Sequence, residues 1–101
     1  MSAIIEFAIF PIDNSQSKSK YVARVIDMIR QSGYEYILTP MGTIIETKSV
    51  DEGLEIVKKA YEILEIDSDR IYSAIKIDYK PKAKMGRLSS KVDSVNDKLK
   101  S

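Results

Sequence analysis

The hydrophobic pattern switches between period two and period 3.6 along the chain, and the order of the switches predicts the fold. Residues 3 to 12 form an apolar run of strand length closed by Pro11. Ile5, Phe7 and Ile9 share one face; Ile4, Glu6, Ala8 and Phe10 share the other. A run apolar on both faces reads as a central strand, in which the carboxylate of Glu6 is out of keeping. The polar loop at 13 to 19 is rich in N-cap residue types and leads into a helix predicted over 18 to 32. Tyr21, Val22, Val25, Ile26 and Ile29 form its apolar stripe, with Gly33 at the C′ position. Residues 34 to 39 read as a strand, Pro40-Met41-Gly42 reverses the chain, and 43 to 48 return as the second arm of a β-hairpin.

Ser49 and Glu52 have capping-box spacing, so Glu52 reads as structural. The helix they open runs to about residue 64, with Leu54, Val57, Ala60, Tyr61 and Leu64 expected to face inward. After a turn at 67 to 69, residues 70 to 80 alternate as a half-exposed strand, Ile71, Ser73, Ile75, Ile77 and Tyr79 on one face. A basic loop follows, then a helix of about 88 to 100 with Leu88, Val92, Val95 and Leu99 as its stripe. A stripe that short and narrow must dock, on its own domain or on a neighbouring subunit. The order β-α-β-β-α-β predicts an α+β, ferredoxin-like sandwich with an additional C-terminal helix, two helices covering one sheet face. The expectation places the first and third strands adjacent and parallel in the middle. The other sheet face then needs a cover, supplied by the last helix and by a second subunit. A dimer or a dimer of dimers is expected.

Composition narrows the function more than the fold. The chain of 101 residues is expected to be one domain, with 80 to 101 at a subunit interface. Sixteen basic residues against 15 acidic ones select no nucleic acid or anionic membrane as partner. No apolar run approaches membrane-spanning length and residues 1 to 12 lack a cleavable leader, so a cytoplasmic protein is expected. Zero Cys and zero His remove thiolate and imidazole chemistry and most zinc sites. No catalytic residue, metal site or cofactor is expected.

Candidate binding residues remain. Glu46, on the strand after the turn, is either a solvated edge residue or a charge aimed at a cation. With Glu6 on the neighbouring strand, it would join an internal or interfacial salt bridge, for instance with Lys76, or a site for an amino-bearing ligand. Thr43 is either a β-branched strand opener or a hydroxyl beside ligand atoms. The entrance to the first helix would hold polar ligand atoms or simply cap the helix. The basic residues Lys76, Lys80, Lys82, Lys84, Arg87 and Lys91 suggest RNA, but Thr43-Ile44-Ile45-Glu46 replaces the aromatic strand that stacking requires and would repel phosphate.

The strand ending in Pro11, the stretch Tyr-x-Leu-x-Pro-Met-Gly-Thr-x-Ile-Glu at 36 to 46, Asp51-Glu52, Lys76-Ile77-Asp78 and the closing Lys91-Val92-x-Ser94-Val95 together resemble the thiamine-binding protein family of small YkoF-like proteins. The resemblance implies a ferredoxin-like subunit, homotetramers made by sheet packing, and non-catalytic binding of thiamine or its hydroxymethylpyrimidine portion. Glu46 would then meet the thiazolium or the amino group, Thr43 the pyrimidine edge, and an aromatic residue or Met41, beside Gly42, the ring faces. Ser19 and Tyr21 match the family's Ser-x-Tyr-Val at the start of the first helix.

Overall fold

The computed structural model describes residues 1–12 and 18–99. Seven elements follow the predicted order: β1 (Ser2–Pro11), α1 (Lys18–Ser32), β2 (Tyr36–Thr39), β3 (Gly42–Thr47), α2 (Val50–Leu64), β4 (Ile71–Lys80) and α3 (Arg87–Leu99). The four strands form one sheet in the order β2-β3-β1-β4, every neighbouring pair antiparallel. This is the ferredoxin-like α+β arrangement. The expected parallel pairing of the first and third strands is corrected: Ile5 lies opposite Ile45 in an antiparallel ladder. The α1 crossover returns β2 in the direction of β1, and the hairpin then reverses β3. Residues 13–17 of the polar loop expected to cap α1 lie outside the described residues, and residues 18 and 19 belong to α1.

The core sits between the sheet and α1 with α2. Ala3, Ile5, Phe7 and Ile9 of β1 are buried against Tyr21, Val25 and Ile29 of α1 and Ile56, Val57, Ala60 and Leu64 of α2. Burying each larger apolar side chain stabilises by about 1.5–3 kcal/mol. The inward face of α2 is turned from the expected one. Leu54 is exposed, and Gly53 faces the sheet so closely that a Cβ there would fall 2.2 Å from Ile5 Cδ1. The capping box forms in a modified way: Ser49 Oγ accepts from the Glu52 amide, and the Glu52 carboxylate accepts from Lys48 N–H, one residue earlier than the motif predicts.

The opposite sheet face carries Ile4, Glu6, Ala8, Phe10, Ile44 and Glu46, and among the described residues the start of α3 covers it at one end. Leu88 is buried there, whereas Val95 and Leu99 are exposed; the side chains of residues 91 and 92 lie outside the described set. No helix among the described residues is long and apolar enough to cross a membrane.

Candidate functional site

Two places in the sheet depart from ordinary packing, and the predicted site residues are divided between them. One lies on the outer face at Glu46. Its side chain is fully buried, and its oxygens accept from Ser2 Oγ (2.5 Å) and from the backbone amides of Gly86 (3.0 and 3.1 Å), Arg87 (3.2 Å) and Leu88 (3.3 Å). Those amides are the unpaired donors at the start of α3, so Glu46 caps that helix from β3, forty residues away in sequence. The Ser2 hydroxyl relays the charge onward, accepting from Arg87 Nε at 2.9 Å. Arg87 also donates through Nη2 to the carbonyls of Ser2 (2.7 Å) and Asp78 (2.9 Å), and its Nη1 stands 3.5 Å from the Asp78 carboxylate. Burial by itself would push the Glu46 carboxyl up. The hydrogen bonds from Ser2, Arg87, Leu88 and Gly86 outweigh it and hold the group below the ordinary carboxyl range. A carboxylate with this many donors from its own chain has little capacity left for a ligand.

The second place is a cavity of about 260 Å³ at the other end of β3, on the α1 side. Phe7, Ala8, Ile9 and Phe10 of β1, Val22 and Val25 of α1, and residues 38–43 of the hairpin line it. It exists because the hairpin ends before β1 does. The β1–β3 ladder stops at Phe7 opposite Thr43, whereas β1 continues against β4 to Pro11. Glu46 N–H donates across to Glu35 on the β2 side, so the odd-numbered residues of β3 turn their main-chain groups toward β1. Ile12 N–H donates to Arg70, so the even-numbered residues of β1 serve β4 and the odd-numbered ones serve β3. Ile9 therefore directs an N–H and a C=O into the notch where β3 would have continued.

The hairpin tip is built to stop there. Thr39 Oγ1 accepts from the amides of Met41 (3.2 Å) and Gly42 (3.1 Å) and donates to the Gly42 carbonyl (2.9 Å), closing Pro40-Met41 into a tight turn. Gly42 lies against β1 so closely that a Cβ would fall 2.9 Å from the Phe7 carbonyl oxygen. Thr39 was missed in the sequence, although a hydroxyl residue directly before Pro-x-Gly is a turn signal.

Of the predicted residues, Met41, Gly42 and Thr43 line the cavity, with Met41 exposed at its rim and Thr43 buried. Ser19 lines a shallower groove that continues past Val22, Ala23 and Ile26 of α1. Tyr21 is buried in the core, with the Arg24 guanidinium 4.8 Å above its ring. Glu6 lies on the outer face, its carboxylate 3.8 Å from Lys76 Nζ, its cross-strand partner. The structure thus does not bring Glu46, Glu6 and Tyr21 to the cavity. Among the described residues no group of three or more acidic side chains gathers to hold a metal ion.

Comparison with known proteins agrees with this architecture. The chain is 38% identical over 96 residues to a UPF0045 protein of Methanothermobacter thermautotrophicus, covering 93% of this chain and 96% of that one. It is 30% identical over 94 residues to a UPF0045 protein of Methanocaldococcus jannaschii, covering 93% and 92%. A crystal structure of a hypothetical protein from that organism superposes with a TM-score of 0.80 at 27% identity, covering 94% of this chain and 96% of that one. A putative thiamine biosynthesis/salvage protein from Thermotoga maritima shares the fold, with a TM-score of 0.75 at 22% identity over 91% of this chain and 99% of that one. The family model described as thiamine-binding protein matches residues 5–96, and the chain belongs to that family.

Proposed function

We propose that this chain is a non-catalytic, cytoplasmic binding protein that holds the aminopyrimidine part of thiamine, or free hydroxymethylpyrimidine, in the cavity beside the hairpin tip. The observation that carries the reading is the notch at Ile9. A main-chain donor and acceptor face an apolar-walled space, and an aminopyrimidine presents an amino donor beside a ring-nitrogen acceptor that would continue the interrupted ladder. Family membership supports the ligand class. The size supports a single ring rather than the whole vitamin, since ligand pockets usually begin at about 300 Å³. The rest of thiamine would lie along the groove toward Ser19. No described residue lining the cavity or the groove is charged, so the thiazolium would stay at the solvent side and contribute less than the pyrimidine.

Homo-oligomerisation belongs to the same proposal. Ile37 and Tyr72 are exposed on the outer sheet face beside half-buried Ile44, Ala8 and Phe10, and sheet-to-sheet packing of a second copy would cover them. The test of the ligand is a nuclear magnetic resonance titration with thiamine and with hydroxymethylpyrimidine. The expected result is a shift of the amides of Ile9, Gly42 and Thr43, with those of residues 86–88 unmoved. Shifts confined to residues 86–88, or none with either ligand, would overturn the reading.

A further inference from the structure

The main chain of Ile9 cannot by itself set the specificity of the cavity. Cytosine presents the same amino donor beside a ring-nitrogen acceptor, but carries a keto oxygen where the pyrimidine of thiamine carries a methyl group. That substituent sits on the carbon between the two ring nitrogens, and the ladder shows which residue meets it. Odd-numbered residues of β1 and β3 bond in mutual pairs, so Phe7 and Thr43 exchange N–H and C=O, and the next pair would join Ile9 to residue 41. Met41 is instead carried away by the Thr39 turn and stands exposed. A ring bonded to Ile9 takes the place that residue 41 would have had, its ring nitrogen standing for the carbonyl and its amino group for the amide. The carbonyl of residue 41 is the group that leads into residue 42. The carbon beyond the ring nitrogen therefore points at Gly42, and the link to the thiazole leaves on the far flank.

Resting on the aminopyrimidine reading above, we propose that Gly42 is the specificity-determining residue of the cavity: it admits a hydrogen or a methyl group on that carbon and, with the Phe7 carbonyl, rejects a keto oxygen. A Cβ at Gly42 would stand 2.9 Å from the Phe7 carbonyl oxygen, 3.3 Å from the carbonyl carbon and 3.6 Å from Ala8 Cβ. Such a group would point at β1, into the corner between the Phe7–Thr43 pair and Ile9 where the ring substituent lies. Glycine leaves only a hydrogen on that side and so makes room for a methyl group. The corner also has a polarity. Its wall carries the Phe7 carbonyl oxygen, an acceptor, and the two amides nearest to it are already committed. That of Gly42 donates to Thr39 Oγ1, and that of Thr43 belongs to its pair with Phe7. The Thr43 side chain, with that of Ile45, stands on the helix face of the sheet, out of the plane in which the ring bonds. A methyl group in the corner leaves no hydrogen bond unmade. A keto oxygen would set acceptor against acceptor and bear the full desolvation cost of an unpaired oxygen.

Three single rings test it, each titrated at a pH where it is neutral and followed by backbone amide shifts: 4-amino-2-methylpyrimidine, 4-aminopyrimidine and cytosine. The wild type is expected to bind the methylated ring about fourfold more tightly than the unmethylated one, as one buried methyl group requires. Cytosine is expected to bind at least about tenfold more weakly than the methylated ring, because its keto oxygen finds no donor. Gly42→Ala puts a methyl group of the protein where the ligand's own methyl would lie. It is expected to weaken 4-amino-2-methylpyrimidine about tenfold or more and 4-aminopyrimidine less than about threefold, which reverses their order. A substitution that merely disturbed the turn would weaken both rings alike and leave the order as it was. Should Gly42→Ala not fold, the cytosine comparison on the wild type decides alone. Cytosine bound by the wild type as tightly as the methylated ring, or an unchanged order in a folded Gly42→Ala, would overturn the role of Gly42 while the ligand reading stands. No amide shift with any of the three rings would overturn the ligand reading, and this inference with it.

Discussion

The two ends of β3 solve opposite problems. At Glu46 a charge is buried and every oxygen is met by the protein's own donors, three of them amides that α3 would otherwise leave unpaired. At Gly42 the strand stops short, and the main chain of its neighbour is left facing an uncharged cavity. The residue that looks chemically exceptional in the sequence is thus structurally saturated. The recognition capacity lies where backbone groups lack a strand. A buried carboxylate points to a ligand only after its own chain's donors have been counted.

Removing the charge should produce the largest effect. Glu46→Ala is expected to lower stability by about 3 kcal/mol in urea unfolding, because Ser2, Arg87 and the α3 amides lose their common acceptor. Next is acid. The Glu46 carboxyl titrates below its ordinary value when folded, so its contribution is complete above the unfolded value of about 4.3 and is lost as the pH falls through the lowered native one. Hydrogen exchange of residues 87–90 should accelerate over that window, and Glu46→Gln should remove the dependence. At the opposite end of β3, Gly42→Ala should cost about 2 kcal/mol by forcing the turn away from Phe7, and should weaken ligand binding with it. The smallest effect belongs to Glu6→Gln, less than about 0.5 kcal/mol, since Glu6 and Lys76 are 43% and 84% exposed. A larger loss there would make the outer-face pair more than a solvated contact.

The sequence was legible where one period dominated. The division of β1 into an Ile5-Phe7-Ile9 face and a Glu6-Ala8 face, and the span of α1, follow from periodicity because burial is one-sided and local. Leu54 misled because two adjacent registers of α2 both offer an apolar stripe, and the close approach of Gly53 to Ile5 decided between them. The partner of Glu46 was hidden by distance along the chain. Its trace was nevertheless present: α3 starts after Gly86 with no acidic residue in its first turn, and a helix lacking a local cap needs a remote one. The notch at Ile9 depends on where β1 and β3 stop relative to one another, a register that no local pattern encodes.

The central claim is that ligand recognition belongs to the hairpin cavity and not to Glu46. Calorimetric titration of hydroxymethylpyrimidine into the wild type, Glu46→Gln and Val22→Trp tests it most directly, because Val22 lines both the cavity and its groove. The account predicts heat with the wild type, affinity within about threefold for Glu46→Gln at neutral pH, and no measurable binding for Val22→Trp. Binding abolished by Glu46→Gln but retained by Val22→Trp, with both variants folded, would contradict it.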